Sequence, residues 1–547
     1  MKKINIVTTI FLVILGITLN AQSHNEEVTI EGSYTPHIKK SARIGIKPEM
    51  PKREFNIPNH EVNTEDFFYS YKVDLEPISP LQYTQKEFYD ITNNFIKFGL
   101  GTCLSPDLLF RNYSELSRKT SLGIGLTHNS TWTNMKDYDN SKYMNNAFNL
   151  SMNNKLSGFQ LRTFIDYHYD MYNLKYKSEI NTDDAPDTKR FINSLGVKLL
   201  SNNNQTSYRS LYDEFLLDYN YTGIRGGVME NLIKFNAYLE HSNSWFRNSD
   251  GIQTLSVDVK AELNNISQTL FIISANPRLD FDGEYYNLHL GFRVDAKTNS
   301  TSMGGIYPDI KGSLYLFGRK LELYAGLGGK TKINTLKEIL SENPFIISDL
   351  TNMGEFDYEK TKIDFKGGLK FKVYDNFGLH TGVRYRMIDN YVLFIETPLY
   401  NKLRTFDVIL EDCKILNFVA DIHVRISDDI KVAADFSYNL YDLYKEIAKA
   451  WYKPAFEFKL KGFYNYNEHW NFNIATYVEG KRYALSYDNA VKELKPICDI
   501  QLGCDYNFRD NLSFYAEIKN LIHNKYQLYY DYPSYGFQAF LGFKYRF

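Results

Sequence analysis

Four cysteines and eleven histidines are the residues of this chain best suited to redox, metal or acid–base chemistry. Their spacing does not assemble it. Cys103, Cys413, Cys498 and Cys504 include no C-x-x-C pair. Cys498 and Cys504 fall on one extended segment, ~20 Å apart at ~3.3 Å per residue, too far for a disulfide. They share a face with Ile500, Leu502, Tyr506 and Phe508, which makes them small members of an apolar surface. The histidines are scattered without ligand spacing, and His168, His289 and His380 read as polar residues of a water-facing surface. Gly326-Leu327-Gly328-Gly329 has the glycine density of a phosphate loop, but no helix opening with Lys-Ser/Thr follows it. Such glycines are expected to mark a bend or close side-chain packing in a strand. Neither G-x-S-x-G nor H-E-x-x-H is present. With no nucleophile, base and orienter to begin from, no enzyme activity is expected, and no catalytic, cofactor-binding or metal residue is assigned.

The elements that position these residues alternate with period two. Tyr286, Leu288, Leu290, Phe292 and Val294 share one face, and Asn287, His289, Gly291, Arg293 and Asp295 the other. Ile363, Phe365, Gly367, Leu369, Phe371 and Val373 oppose Asp364, Lys366, Gly368, Lys370 and Lys372. Val432, Ala434, Phe436, Tyr438 and Leu440 oppose Lys431, Asp435, Ser437 and Asn439. The final segment sets Phe537, Ala539, Leu541, Phe543, Tyr545 and Phe547 against Gln538, Lys544 and Arg546. Successive strand side chains point to opposite faces, so each segment makes one apolar and one polar surface. Tight turns are expected at Arg319-Lys320, Asp375-Asn376, Asp428-Asp429, Asn467-Glu468 and Asp510-Asn511. Long connectors are expected at 331–360, 389–411, 441–453, 479–494 and 520–534. Short turns on one side and long loops on the other are the pattern of a transmembrane antiparallel β-barrel with its short turns in the periplasm. About 18–22 strands are expected, an even number because both ends should be periplasmic. Turns between Asn94 and Phe317 follow the pattern less regularly. A soluble β-sandwich or solenoid would also alternate, but it would not give long strands, asymmetric loops and a terminal aromatic together.

Composition agrees with a chain solvated partly by lipid. It has 547 residues, a formal net charge of −2 and 43% hydrophobic residues, with 44 Tyr and 38 Phe. Tyrosine suits a boundary, with an apolar ring and a wet hydroxyl, so two interfacial girdles are expected. Near-neutral charge gives no argument for nucleic acid. Residues 1–21 read as a signal peptide: Lys2 and Lys3 precede an apolar run at 6–17, and Ala21 is a cleavage point. That run is shorter than the ~20 apolar residues of a spanning helix. Residues 22–93 are rich in Glu, Lys and Pro and read as a short irregular periplasmic tail, with a candidate first strand at 67–73. Residues 94–547 are expected to form the barrel. Thr335-Leu336-Lys337-Glu338 has capping-box spacing for a short loop helix, and 443–451 is a second candidate. Val28, Thr29 and Ile30 alternate beside a flexible stretch and could add to the edge of a partner's sheet; a tail without a partner is the other reading.

Asn520-Leu521, Tyr526, Pro533-x-x-Gly536 and the aromatic strand ending at Phe547 resemble the end of a TonB-dependent receptor barrel of Bacteroidetes. Asn343-Pro344-Phe345 and Ala450-Trp451-Tyr452-Lys453-Pro454 are similar to segments of plugless relatives in that phylum. Residues 27–31, Glu-Val-Thr-Ile-Glu, followed by Gly32, resemble the stretch by which such receptors meet TonB. The resemblance implies an outer-membrane barrel with a transport or receptor role and unknown cargo. It also implies that Phe543, Tyr545 and Phe547 form the signal read by the outer-membrane assembly machinery. Fewer than eighty residues separate Ala21 from Asn94, so the plug that these receptors carry is expected to be lacking. TonB or an envelope lipoprotein is the expected partner of Val28-Thr29-Ile30. The alternative is a non-transporting structural or assembly barrel that scaffolds other envelope proteins.

Overall fold

The computed structural model describes residues 94–547 except 135–140, 177–187, 204–210, 244, 246–251, 299–303, 349–355, 374–375, 398–402 and 445–448. The signal-peptide reading, the tail with its candidate strand at 67–73, and Val28, Thr29 and Ile30 lie outside the described residues.

Alternation becomes architecture in a closed antiparallel barrel of 22 strands, the upper end of the expected range. Each strand pairs with its sequence neighbours, and the first, Asn94–Gly101, closes the ring against the last, Gln538–Arg546, with Phe98 opposite Phe543. Closure leaves no strand edge unpaired, which a bilayer requires because it offers no water to satisfy backbone groups. The expected faces are the observed ones. Leu290 and Phe292 are 41% and 50% exposed on the outside, whereas His289 and Asp295 point inward and are buried. On the last strand Phe537, Leu541 and Phe547 are exposed outward while Phe540 and Lys544 are buried inward. An apolar exterior around a polar interior places the barrel in the outer membrane, in contact with its lipid. Among the described residues no helix is long and apolar enough to cross a membrane.

At the seam, Lys97 reaches Asp107 at 3.4 Å and Glu517 at 3.8 Å, and Lys544 reaches Asp505 at 2.9 Å. Between the two lysines lies the Tyr515 ring. A Cβ at Gly99 would fall 2.0 Å from the Tyr515 hydroxyl, so a glycine is needed where the ring crosses the strand. The glycine run behaves as expected: it lies within the strand Leu321–Ile333, whose register shifts between Gly328 and Lys330, and a Cβ at Gly329 would sit 2.5 Å from the Tyr307 ring.

The connectors depart from expectation in two places. The segment 389–411 is not all loop: the strands Phe377–Thr397 and Leu403–Arg425, 21 and 23 residues long, take up its described part at 389–397 and 403–411. About 9–11 residues cross a bilayer, so this hairpin stands far beyond it. Its register shifts between Ile388 and Tyr391, where Asn390 takes a φ of 59°. A bulge of this kind bends a strand, and above it the hairpin joins a core shared with other loops. The first half of the barrel is less regular, as expected: 225–228 and 266–268 at the loop end are short while 204–211 and 244–251 at the turn end are longer. The second departure is at 443–451, where the strand Ile430–Leu443 and a turn at Trp451 occupy the described part, so those residues are not helical; 445–448 lie outside the described residues.

Candidate functional site: the loop cap and the lumen below it

The largest buried apolar cluster of the described residues lies at the loop end of the barrel. It joins Ile192 and Ile224 on the wall to Leu336, Ile339, Ile346, Phe356, Leu393, Phe394, Phe406, Trp451, Ala484, Leu494 and Tyr529. The strands Tyr212–Ile224 and Leu403–Arg425 are the seventh and sixteenth of the 22, nearly opposite in the ring. Residues from such distant strands can share a core only if loops meet over the opening. We refer to this layer as the cap.

The helix Leu336–Glu342 is its first support. As the capping box requires, Thr335 Oγ1 accepts from Glu338 N at 3.2 Å. Leu336, Ile339 and Leu340 then share one face and are buried. The fully buried carboxylate of Glu230 accepts from Leu336 N at 2.8 Å, Lys337 N at 3.3 Å and Asn264 Nδ2 at 2.6 Å. A carboxylate here satisfies orphan donors and sits at the positive end of the helix dipole.

Past the helix, Phe345 stacks on Tyr532 with centroids 3.8 Å apart and meets Tyr172 edge-on at 5.9 Å. Arg190, from the wall strand Lys189–Asn203, donates to Pro344 O at 3.1 Å and also to Ile346 O. Ile346 bridges to Phe406, and Val228 N donates to Ser348 O at 3.0 Å. Lys175 and Tyr176 pair with Arg404 and Leu403 of the long hairpin, a backbone link across the mouth. Tyr532 joins the same link, its hydroxyl donating to Arg404 O at 2.5 Å and accepting from Lys175 N at 3.2 Å.

Buried charge fixes the remainder. Arg404 pairs with Glu396 and, at 2.8 Å, with Asp531, while Ser486 Oγ donates to Glu396 at 2.8 Å. Arg482 binds Glu479 at 2.5 Å and donates to Leu528 O and Gln527 O, both at 2.6 Å. Lys453 pairs with Glu342. Burial pushes the phenols of Tyr452 and Tyr529 well above their ordinary range, so Tyr529 stays a neutral donor to Glu342 O at 2.5 Å. The segments that resemble receptor relatives, Asn343-Pro344-Phe345, Trp451-Tyr452-Lys453-Pro454 and the loop containing Tyr526, Pro533 and Gly536, fall at this end of the barrel, most of them in the cap.

Below the cap the wall is polar. His289 lies between Asp280 at 2.5 Å and Asp309 at 3.2 Å. His380 joins Asp421 and the Tyr324 hydroxyl, each at 2.7 Å. His168 also faces inward, whereas Cys498 and Cys504 lie outward and pair with Val478 and Phe472 on the neighbouring strand. These contacts hold side chains in place; none presents a nucleophile to a base. Among the described residues no group of three His, Cys, Asp or Glu is placed to hold a metal ion. The expected assembly residues stand together on the outer face: Phe98–Phe543 centroids are 6.1 Å apart, and Tyr545 stacks on Phe547 at 5.4 Å. Sequence reasoning did not find Arg190, Glu230, Glu396 or Arg404. The available signal was aromatic density in connectors that would be polar if they were merely solvated.

No protein-family model matches the chain, and no curated protein does. Solved structures do match in fold. The pyoverdine outer membrane receptor FpvA from Pseudomonas aeruginosa PAO1, bound to pyoverdine, aligns with a TM-score of 0.62 at 12% identity, over 83% of this chain and 78% of that one. The copper transporter OprC aligns at 0.60 and 13% identity, over 83% and 80%. The ferric-catecholate import receptor Fiu from Escherichia coli K12 aligns at 0.60 and 10% identity, over 83% and 82%. These likenesses establish the barrel fold of outer-membrane receptors and transporters.

Proposed function

We propose that this chain is a TonB-dependent-receptor-like outer-membrane barrel whose loop cap recognises a cargo and must shift to admit it. The observation that carries the reading is a layer of interlocked loops with its own buried core above a polar lumen, on a fold shared with receptors for different cargoes. The proposal sets the long-loop end outside the cell and the short turns in the periplasm. It takes 1–21 as signal peptide and 22–93 as a periplasmic tail in place of a plug, in the manner of the Bacteroidetes relatives. Val28, Thr29 and Ile30 are its contact with TonB or an envelope lipoprotein, and Phe543, Tyr545 and Phe547 its assembly signal. A scaffold reading is favoured by one feature, the backbone pairing of Lys175–Tyr176 with Leu403–Arg404 that ties opposite walls together. Affinity purification from native membranes separates the two readings. TonB recovered with the wild-type chain, and lost when Val28 and Ile30 are changed to Asp, supports the receptor. A stoichiometric envelope protein retained without TonB would overturn it in favour of the scaffold.

A further inference from the structure

We propose that Glu457, at the top of the lumenal wall, is the centre of a site for an organic ammonium group carried by the cargo. The proposal deepens the receptor reading and rests on it. Strand register sets Ser437, Glu457 and Glu479 side by side on the neighbouring strands Ile430–Leu443, Phe456–Asn465 and Trp470–Glu479. Tyr438, Leu440, Phe472 and Ile474 of these strands are exposed on the outside, so the three residues face inward. Two carboxylates therefore meet at one level of the wall, Glu457 with 6% and Glu479 with 7% of its surface exposed. Like charges directly opposite each other on a sheet are destabilising.

Only one of the two is answered. Glu479 is paired with Arg482 through one oxygen and accepts from the Tyr477 hydroxyl through the other, each at 2.5 Å. No hydrogen bond or ion pair reaches the Glu457 carboxylate among the described residues. Its polar neighbours are engaged elsewhere. Ser437 Oγ accepts from Asn417 at 2.9 Å, and the Asn439 amide lies between Asn417 and Pro454 O. Lys459, one step toward the turn end, stands opposite Asp435 with its ammonium 5.8 Å from the centre of the Tyr477 ring. A buried charge without a partner is strongly unfavourable, so a cation from outside the chain completes this place.

An ammonium group suits these surroundings better than a metal ion. A hard metal cation needs several oxygen ligands, and both oxygens of Glu479 are already taken. An ammonium needs one carboxylate for its charge and a few acceptors for its N–H groups. The phenols of Tyr441 and Tyr477 lie within electrostatic reach of Glu457. Tyr477 donates to Glu479, and Tyr441 to Pro454 O at 3.5 Å, so each hydroxyl oxygen still has a lone pair with which to accept. Pro454 lies just beyond the upper end of the strand and belongs to the segment that Lys453 ties to Glu342 in the cap. A solute reaches Glu457 when that segment lifts, so the site is one that cap movement uncovers.

The test is titration calorimetry of the detergent-solubilised full-length protein near neutral pH, with ethanolamine as the probe and ethylene glycol as the neutral control. Ethanolamine should bind and ethylene glycol should not. Glu457→Gln keeps the shape of the side chain and removes its charge, and should weaken ethanolamine by about tenfold or more. Lys459→Gln removes a competing cation beside the site and should tighten binding, which gives a second readout should Glu457→Gln not fold. Heat-modifiable migration verifies that each variant is folded. The proposal fails if ethanolamine gives no binding heat, as it would if a proton alone completed Glu457, or if ethylene glycol binds as well. It also fails if folded Glu457→Gln binds like wild type, or if Lys459→Gln binds no more tightly. A chain that still captures TonB while ignoring ethanolamine would lose the ammonium site and keep the receptor reading.

Discussion

At the scale of single residues, the cap depends on a few buried charges whose removal should be felt strongly. Glu396 is fully buried and Arg404 nearly so, and breaking one half of such a pair costs about 3–5 kcal/mol because the other charge is left uncompensated. Arg404→Ala should therefore loosen the cap, read as rapid protease cleavage between Tyr483 and Tyr532 while the barrel keeps its heat-modifiable migration. Arg404→Met combined with Glu396→Leu removes both charges and should restore much of the protection. Glu230→Ala strands the donors of Leu336 and Lys337 at the start of a short helix, for about 1–3 kcal/mol. It should expose the helix region to cleavage without altering the opposite side of the cap. Equal cleavage in wild type and both single variants would show that these groups do not hold the layer.

At the scale of elements, the last strand gives the sharpest contrast. Leu541 is 68% exposed on the outer face, whereas Gln538 points into the lumen beside the first connector. Arginine at Leu541 meets hydrocarbon, at about 2–4 kcal/mol if near the midplane. Leu541→Arg, like deletion of Phe547, should lower the folded fraction in outer-membrane preparations, and Gln538→Arg should not. An epitope inserted at Asp488, in the exposed turn of a cap hairpin, should be detected on intact cells. One at Asp428 should require permeabilised cells; its detection without permeabilisation would invert the orientation. The strands were legible in the sequence because period two is written into every lipid-facing face, from Tyr286 to Val294 and from Phe537 to Phe547. The helix was legible through Thr335 and Glu338. The long hairpin was not, because above Asn390 both faces are covered by other loops and the alternation that marks a lipid-exposed strand disappears.

At the scale of the whole molecule, the cap and the lumen are separate layers of one barrel, and no local pattern announces their relation. Glu230 meets the helix Leu336–Glu342 across more than a hundred residues, and Tyr532 meets Lys175 across more than three hundred, so the cap could not be read from spacing. Planar-bilayer recordings should find the wild-type chain closed for most of the time and Arg404→Ala conducting; silence from both would argue that something besides the cap seals the pore. The same long-range assembly bears on biogenesis. Lys175 and Tyr176 must wait for Leu403 and Arg404, and both must wait for Tyr532, which is added just before the closing strand. Such late pairing is slow because loop-closure entropy must be met before any contact forms. An unfinished barrel therefore leaves Phe345, Phe406 and Trp451 bare, while a finished one hides them. Concealment of these aromatics is thus a signature of completed maturation.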